Sequence, residues 1–361
     1  MVFELASAQR RLGADVEIWT PDKIRAGSAE VFAGLPIRYF YSEPLFGLAR
    51  SYRLRREIGT LPKHAIVHGH SSFNPLNMQV GNAAAEHGLK AFYHPHGAFD
   101  PVLLSGWSPK AVKKRAYIWK FTRPNFNRAA GIFALTSLEK DQLRSLRFTA
   151  PIHVLPNGIR SVPTAPREAG LALRARHGVG PADKIVLFIG RITPKKRIED
   201  IIRALAESDA HLFIAGNPEA EPEYAGLLRA EVSSAACEHR VHWLGFMDEA
   251  AKAEAYASAD VFVHASESEG MALAILEAMS AGLPVVATQG CYMAEAAAAG
   301  ALVECAAGPQ ALAAALRPLL RDPSAAQAQG RAGRAYVATV HDWTEIARRS
   351  LQIYAAQGGP A

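Results

Sequence analysis

The chain has 361 residues, of which 49% are hydrophobic and 20% are charged. This composition is typical of a soluble globular protein, and the length exceeds what one hydrophobic core usually serves, so we expect two domains. No stretch approaches the roughly 18 consecutive apolar residues of a membrane-spanning helix, and the first residues lack the pattern of a secretory signal. The three cysteines, Cys237, Cys291 and Cys305, are isolated, which argues against a disulfide framework or a cysteine-based zinc site and fits a reducing cytoplasm.

The net charge of +6 is unevenly distributed, at +11 over residues 1–160 and −5 over residues 161–361. The basic residues of the first half concentrate at residues 49–57 and 109–128, and aromatic residues interleave with the second cluster. Two interpretations fit this cluster: a solvated helix face whose aromatic residues enter the core, or a surface for anionic lipid headgroups or an acidic acceptor. A nucleic-acid surface fits less well than either, and we expect no nucleic-acid partner.

The first half of the chain alternates short β-branched or aromatic stretches with longer helical ones. It opens as a helix ended by Gly13, and the strands predicted after it are residues 15–20, 65–70, 90–95, 131–136 and 152–157. A doubly wound domain normally begins with a strand and a glycine-rich turn, and neither precedes this first helix. Either the printed sequence begins downstream of that strand, or the domain is built without it.

Residues 163–170 interrupt the alternation with proline and glycine and predict a linker. Strands are predicted again at residues 184–190, 210–216, 241–246, 260–266 and 284–288. Strands that alternate with helices predict parallel, doubly wound sheets, so we expect an N-terminal domain over residues 1–162 and a C-terminal domain over residues 163–341. Ligands of such sheets bind beyond the carboxyl ends of the strands.

The stretch FIGRITPKKR carries the first candidate site. Gly190 ends a predicted buried strand, Arg191 follows at its carboxyl edge, and Lys196 begins the next helix. Two cations beside a helix N-terminus favour an anion, and an arginine can hold a diphosphate through two parallel hydrogen bonds. The alternative is that Lys195, Lys196 and Arg197 form a solvated turn.

The stretch SESEGMALAILEAMSAGLPVVAT carries two acids, Glu269 and Glu277, in the spacing E-x7-E. Glu269 and Gly270 fall in a turn after a predicted strand, and the amides of Gly270, Met271 and Ala272 open the helix that contains Glu277. Because a carboxylate accepts hydrogen bonds from two neighbouring hydroxyls, one acid could hold a sugar and the other a ribose. The alternative is an exposed Glu277 on a helix whose apolar residues cover the core.

Histidines end two consecutive predicted strands, in the stretches VHGH and HPHG. His94 and His96 fall on the same side of one strand, and His70 ends the other. A lone histidine is more often structural than functional, and we predict no metal site, because these histidines lie on separate strands without an evident carboxylate partner.

Five stretches follow one another in order: VLPNGI, GRITPKK, HLFIAGN, VHWLGF and ADVFVHASESEG…ILEAMSAGLPVVAT. Together they resemble the retaining glycosyltransferases of family 4, the glycosyl transferases group 1. The likeness covers nearly the whole chain and is strongest between residues 131 and 290. It implies the GT-B fold, in which two Rossmann-like domains face each other across a cleft and the C-terminal helix, here residues 342–356, joins the first domain.

This sequence departs from the family pattern at three places. Met271 and Ala272 follow the Glu-Gly pair where Phe-Gly is often found, and Arg197 stands where a glycine commonly follows the lysine. The N-terminal strand of the family and its glycine-rich loop, which help to seat the diphosphate or the acceptor, have no counterpart.

The resemblance implies a role for each candidate in the second half of the chain. Arg191 and Lys196 would bind the diphosphate of the donor. Glu269 would contact hydroxyls of the transferred sugar, and the amides of Gly270 to Ala272 would lie near the sugar and the phosphate. Glu277 would hold the ribose hydroxyls of the nucleotide.

The resemblance also implies the reaction. His96 would approach the donor sugar from the first domain, and together with Arg191, Lys196 and Glu269 it makes up the expected catalytic set. We place His70 and Asp100 on the acceptor side of this site. The donor would be a UDP- or GDP-linked sugar and the acceptor a hydroxyl of a glycan or of a lipid-linked molecule. The configuration at the anomeric carbon would be retained, without a cofactor or a metal, because cationic side chains stabilise the leaving diphosphate.

The resemblance and the basic first half together favour surface-polysaccharide or lipopolysaccharide assembly in the cytoplasm, at the inner face of the plasma membrane. The same architecture leaves open a nucleotide-sugar epimerase, a phosphorylase and an inactive relative that only binds nucleotide sugar. A dehydrogenase does not fit, since no predicted strand is followed by GxGxxG.

Overall fold

The computed structural model describes residues 1–45, 48–73, 75–160, 165–206 and 208–359. The chain divides into two compact units: unit 1 comprises Met1–Gly158 and Val340–Ala361, and unit 2 comprises Ile159–Thr339. Within the predicted linker, residues 163 and 164 lie outside the described stretches, and a helix begins at Arg167. None of the described helices combines the length and the apolar character needed to cross a membrane.

Strands and helices are numbered in chain order. The strands are β1 (Ile18–Pro21), β2 (Ala29–Phe32), β3 (Leu35–Phe40), β4 (Glu43–Leu45), β5 (Leu48–Arg50), β6 (Ile66–His70), β7 (Lys90–His94), β8 (Gly131–Ala134), β9 (Ile152–Val154), β10 (Ile185–Ile189), β11 (His211–Ala215), β12 (Val241–Gly245), β13 (Val261–His264), β14 (Val285–Thr288) and β15 (Val303–Cys305). The helices are α1 (Val2–Arg11), α2 (Tyr52–Ile58), α3 (Pro75–Glu86), α4 (Pro101–Leu104), α5 (Pro109–Tyr117), α6 (Arg123–Phe126), α7 (Ser137–Ser145), α8 (Arg167–Arg176), α9 (Ile198–Leu205), α10 (Pro222–Ser234), α11 (Glu249–Ser258), α12 (Leu273–Ala281), α13 (Ala294–Ala298), α14 (Pro309–Arg321), α15 (Pro323–Val340) and α16 (Trp343–Ala356).

Unit 1 opens with a helix rather than a strand, as the sequence predicts. α1 ends just before Gly13, whose φ of 95° lies in the left-handed region that glycine adopts without strain. β1 then pairs in parallel with β3, where Ile18 is opposite Ile37. The antiparallel pair of β2 and β3 completes this small sheet, and the strand pattern of the sequence does not predict it.

The other parallel sheet of unit 1 contains the histidine-bearing strands. β6, β7, β8 and β9 lie side by side in chain order, and His70 on β6 is opposite His94 on β7. Among the described residues, no ladder of backbone hydrogen bonds joins β6 to the sheet of β1, β2 and β3. The carboxyl ends of β6 and β7 meet at one edge, which therefore carries the histidine candidates of unit 1.

Aromatic side chains fill both faces of this sheet, because successive residues of β7 point to opposite sides. On one face, the rings of Tyr93 and Phe126 stack with centroids 4.2 Å apart. On the other, Phe92 meets Tyr354 of α16, with centroids 4.9 Å apart. The C-terminal helix is thereby built into the core of unit 1.

Unit 2 is built on one parallel sheet in the order β12-β11-β10-β13-β14-β15. All residues of the central strand, Ile185–Ile189, are buried, as expected for a parallel sheet with helices on both faces. The predicted α/β class with parallel sheets is thus confirmed. The direction of winding reverses between β10 and β13, and such a switch point is where doubly wound sheets bind ligands.

The alanine-rich region of residues 294–316 contains a strand as well as helices. Its many alanines predict helices, whereas the structure has α13, then the edge strand β15, then α14. β15 has three residues, too few to show a strand period in the sequence. It forms because Val303 and Cys305 pair in parallel with β14.

Candidate functional site

The loop after β10 lies at the switch point of unit 2. The amide of Gly190 donates to the carbonyl of Ala215 at 3.0 Å. A Cβ atom added to Gly216 would lie 2.2 Å from the carbonyl oxygen of Gly190, so the loops after β10 and β11 touch through their backbones. Arg191 follows with an exposed side chain, and within the described residues no ion pair occupies its guanidinium.

Lys196 ends a short 3-10 turn, Pro194–Lys196, and points into unit 2. Its Nζ donates to Oε1 of Glu269 at 2.5 Å and lies 3.2 Å from Nε2 of His264. The Lys196 side chain is only 11% exposed. The structure therefore contradicts the alternative that Lys196 lies in a solvated turn. Instead, Lys196 contacts Glu269, one of the two candidate acids.

Glu269 lies in the loop after β13, across the switch point from Lys196. Oε1 also accepts from the hydroxyl of Ser266 at 2.6 Å. Burial opposes ionisation of Glu269, but His264, Lys196 and Ser266 outweigh it and lower the pKa of the carboxyl well below its ordinary value. Because His264 is 3.7 Å from the carboxylate, we assign the direct hydrogen bonds to Lys196 and Ser266. Glu269 is ionised at neutral pH.

His264, the last residue of β13, belongs to this cluster although the sequence does not single it out. It is 1% exposed, and its ring stacks on Phe188 with centroids 5.4 Å apart. Burial, followed by the charge of Lys196, lowers its pKa, so its Nε2 can accept from the ammonium group. Its Nδ1 is buried and has no hydrogen-bond partner among the described atoms. A histidine that ends a buried strand beside a candidate loop is the signal that could have found it.

The backbone after Glu269 supplies amides to the same edge of the sheet. α12 begins at Leu273, and its N-cap residue, Ala272, provides no side-chain hydrogen bond. The first amides of a helix have no partner within the helix and favour a negative charge. Met271 is half-buried and Ala272 is buried. Gly270, Met271 and Ala272 have no side-chain donors, so an anion at this place can bind only their backbone amides.

Glu277 is not a free acid on the surface of α12. Its Oε1 and Oε2 accept from Nζ of Lys252 at 3.1 and 3.0 Å, and Oε2 accepts from the hydroxyl of Tyr256 at 2.9 Å. Burial and then the charge of Glu277 raise the pKa of Tyr256. The three contacts occupy about three of the four lone-pair positions of a carboxylate, which leaves Oε1 one position for a ligand. Lys252 and Tyr256 lie four residues apart on α11, and the sequence analysis misses both.

In unit 1, His96 follows β7 with φ at 57°, a left-handed conformation that is uncommon outside glycine. The next amide, that of Gly97, donates to Oε1 of Glu139 at 2.7 Å, and the other carboxylate oxygen holds the amide of Leu135. Burial raises the pKa of Glu139. The His96 loop is therefore fastened by a buried acid of α7 that the sequence analysis does not identify.

His70 reaches His96 directly. Nδ1 of His70 lies 3.0 Å from Nε2 of His96, a hydrogen bond between two rings that are stacked within 6° of parallel. The structure thus brings together two candidates that the sequence places on separate strands. Their place on separate strands does not make these histidines distant from one another, because β6 and β7 are adjacent strands.

Asp100 has a structural task in unit 1. It is 2% exposed, and its Oδ1 accepts from the amide of Val102 at 2.8 Å, which caps the short helix α4. Its expected contribution to the acceptor side stays a prediction.

Two family models match the chain. A model described as "Glycosyl transferases group 1" matches residues 172–336, within unit 2. A model described as "Glycosyl transferase 4-like domain" matches residues 1–158, within unit 1.

Similar proteins cover almost the whole chain. D-inositol 3-phosphate glycosyltransferase from Kineococcus radiotolerans is 28% identical over 412 residues, covering 99% of this chain and 91% of that protein. Sucrose-phosphate synthase from Thermosynechococcus elongatus has a TM-score of 0.76 at 19% identity, over 98% of this chain and 92% of that chain. Anabaena HepE in complex with UDP and glucose has a TM-score of 0.74 at 18% identity, over 95% and 100% of the two chains. The structural likeness shows a shared fold.

Proposed function

Because the chain belongs to the glycosyl transferases group 1 of family 4, with the GT-B fold, we propose that it transfers a sugar from a nucleotide diphosphate to an acceptor hydroxyl with retention at the anomeric carbon. The observation that carries this proposal is the buried pair of Lys196 and Glu269 beside the exposed Arg191, at the switch point of the unit 2 sheet. A structural relative, HepE, has been solved with UDP and glucose, which supports a nucleotide-sugar donor.

The cations and amides of unit 2 suit the diphosphate. Arg191 has a guanidinium without an ion pair among the described residues, and it can hold two phosphate oxygens in parallel. Lys196 is fixed by Glu269 and needs little reorganisation to share its protons with phosphate. The amides at the start of α12 add partial positive charge. These groups stabilise the negative charge that develops as the bond to the sugar breaks, and the proposal needs no metal or cofactor for that purpose.

The two acids suit hydroxyl groups of different parts of the donor. Glu269 is ionised, and its Oε2 is available in addition to the Oε1 that holds Lys196 and Ser266. We assign it to hydroxyls of the transferred sugar. Glu277 keeps one lone-pair position beside Lys252 and Tyr256, and we assign it to the ribose.

Retention is proposed through a front-face route. The bond between the anomeric carbon and the phosphate oxygen breaks, the acceptor oxygen bonds to the same face of the carbon, and the acceptor proton passes to the departing phosphate oxygen. This route is the one that the family resemblance suggests, and in it Glu269 binds hydroxyls and forms no covalent intermediate. The contribution of His96 to the sugar stays a prediction from the family resemblance.

The acceptor is proposed to be a glycan or a lipid-linked molecule, at an anionic membrane surface on the cytoplasmic side. The support lies in the basic segment of unit 1, defined here as residues 107–128 so that it includes the loop before the predicted cluster. In it Trp107 and Trp119 are 90% and 67% exposed. The guanidinium of Arg115 lies 5.4 Å from the ring centroid of Trp107, and Lys120 follows Trp119 in the chain. Exposed tryptophan beside cations suits the headgroup region of a bilayer. Of the two interpretations of this segment, a lipid-facing surface fits these tryptophans better than a solvated face. Surface-polysaccharide or lipopolysaccharide assembly is the role that agrees with such an acceptor.

The proposal is tested by donor turnover. Thermal shifts with UDP-glucose, UDP-N-acetylglucosamine and GDP-mannose identify the donor, and release of its nucleotide is then measured with and without alkyl glycosides or diacylglycerol as acceptors. We expect acceptor-dependent release and a product with the donor's anomeric configuration by NMR. An isomerised sugar without acceptor would instead indicate an epimerase, and binding without turnover an inactive relative.

A further inference from the structure

Four histidines of unit 1 lie on one face at the carboxyl ends of β6 and β7. His68 and His70 lie on β6, and because side chains alternate along a strand and His70 is opposite His94 of β7, these three share that face. His96 follows two residues after β7 ends, with φ at 57°, and its ring stacks against that of His94. The ring centroids of His68 and His70 are 4.1 Å apart, and those of His94 and His96 are 4.0 Å apart. Such a concentration of imidazole needs a physical explanation beyond the packing of a sheet.

We propose that His68, His70 and His94 bind a divalent transition-metal ion, with Zn²⁺ as the best fit. Each offers one ring nitrogen, and these three nitrogens lie within 4.8 Å of one another. A tetrahedral zinc site with bonds of about 2.0–2.1 Å places its ligand nitrogens about 3.3 Å apart. Rotation of the rings about their side-chain bonds closes this difference without movement of the strands.

Unpartnered buried nitrogens support the proposal. His94 is 2% exposed, and both of its ring nitrogens lack a hydrogen-bond partner among the described atoms, as does Nε2 of His68. A neutral imidazole always has one N–H donor and one acceptor, and burying them unpaired costs free energy. A bound cation would take up the acceptor nitrogens that the protein leaves unused.

Two of the three proposed ligands, His68 and His70, have an orienting partner on their second ring nitrogen. The hydroxyl of Tyr354 lies 2.7 Å from Nδ1 of His68, and Nε2 of His96 lies 3.0 Å from Nδ1 of His70. Metal-binding histidines characteristically use the second ring nitrogen in this way, which fixes the tautomer and the ring orientation. Nε2 of His68 and of His70 are then the ligand atoms, and His96 and Tyr354 act behind them as positioning residues.

The chemistry of the donors selects the class of metal. Three neutral imidazoles suit Zn²⁺, Ni²⁺, Cu²⁺ or Co²⁺, whereas Mg²⁺ and Ca²⁺ require oxygen ligands. His70 and His96 are partly exposed, which gives the ion a path of entry and leaves a fourth position for water.

The experiment uses the full, untagged chain after treatment with a chelator. Zn²⁺ alone is titrated by calorimetry at pH 7.5, and Co²⁺ is titrated in parallel by its visible absorption. We expect about one equivalent of Zn²⁺ to bind and a tetrahedral Co²⁺ spectrum to appear. No donor or acceptor is present, so the result is independent of the transfer reaction.

Two variants and one control locate the site. His94→Ala and His70→Gln are each expected to weaken Zn²⁺ binding at least about tenfold. Because His70 is less buried than His94, His70→Gln still tests the site if His94→Ala does not fold. The control is His211→Gln, in a second histidine pair where Nδ1 of His211 lies 3.0 Å from Nε2 of His242; it should bind Zn²⁺ as the wild type does. Absence of binding to the wild type, or a loss of binding in His211→Gln alone, would overturn the proposal.

Discussion

The ammonium group of Lys196 donates to the carboxylate of Glu269 across 2.5 Å, with the two side chains only 11% and 14% exposed. They come from loops after neighbouring strands, β10 and β13, so the switch point of the sheet brings together residues that are 73 positions apart in the chain. The pair combines a fixed cation with an ionised acid at this edge of unit 2, and the proposed function assigns the cation to the diphosphate and the acid to the sugar.

Lys196→Ala should remove much of the stabilisation of the leaving diphosphate. We expect kcat to fall about 10²- to 10³-fold, the loss typical of one electrostatic donor in a catalytic site. The free energy of unfolding should fall by about 3 kcal/mol, because the largely buried charge of Glu269 loses its cation and keeps only the hydroxyl of Ser266. Steady-state kinetics and urea unfolding measure the two effects. Lys195→Ala is the matched control and should retain wild-type turnover; unchanged kcat in Lys196→Ala would exclude the assigned role.

Glu277→Gln should weaken binding of the donor more than it slows the chemistry. A ribose hydroxyl loses its charged acceptor, which is worth about 1.5 kcal/mol or more, so we expect KM for the nucleotide sugar to rise about tenfold with a smaller change in kcat. Glu249→Gln is the control, since Glu249 also contacts Lys252, at 2.8 Å, but is 73% exposed. Equal effects of the two substitutions would mean that the charge of Lys252, and not a ribose contact, controls the KM.

The lowered pKa of Glu269 predicts a specific pH dependence of stability. A carboxyl whose pKa is lower in the folded chain than its ordinary value of 4.5 stabilises the fold fully above that value, and the contribution falls as the pH drops towards the folded pKa. The difference in unfolding free energy between the wild type and Glu269→Gln should be constant from pH 6 to 7. It should then shrink by about 1.4 kcal/mol per pH unit below about pH 4.5. A difference that stays constant down to pH 3 would contradict the assigned ion pair.

The sequence predicts the parts of this site that depend on strand ends. Arg191, Lys196 and Glu269 each follow an apolar stretch in the sequence, which predicts that they lie beyond the carboxyl ends of buried strands. The order of the strands in the sheet then brings those ends together. The contacts of Glu277 are not predictable in the same way. Lys252 and Tyr256 are ordinary residues for a helix, and only the packing of α11 against α12 brings them to the acid.

The contact between His70 and His96 in unit 1 is likewise a feature of tertiary structure that the sequence does not predict. Alternation along β6 and β7 predicts that His94 and His96 share a face, but the pairing of the two strands, and hence the contact of His70 with His96, is a tertiary feature. The hairpin of β2 and β3 was missed for another reason: residues 29–32 are all exposed, so no buried face imposes an alternating pattern on the sequence.

Gly216→Ala should destabilise unit 2 and disturb the loop that carries Arg191. The added Cβ would lie 2.2 Å from the backbone oxygen of Gly190, an atom that cannot move without distorting the strand end, so we expect a loss of about 1–3 kcal/mol in unfolding free energy and a higher KM for the donor. The control is Gly226→Ala in α10, where a Cβ meets no atom within 4 Å. That change should leave the KM unaltered and raise stability by up to about 1 kcal/mol, since alanine favours the helix. Equal stability of the two variants would show that the loops have room to separate.

The double variant Trp107→Ala, Trp119→Ala should weaken attachment to anionic bilayers. Both rings are largely exposed on the basic segment of unit 1, and removing them takes away the apolar part of the attachment while the lysines remain. Sedimentation with vesicles of phosphatidylglycerol and phosphatidylcholine should show at least about tenfold weaker binding, and the remaining binding should still be lost as salt is added because it is electrostatic. Phe246→Ala, which removes a ring that is 82% exposed in unit 2, is the control and should bind as the wild type does. If the wild type fails to bind anionic vesicles at low salt, the basic segment is a solvated face, and the acceptor must reach the enzyme from solution.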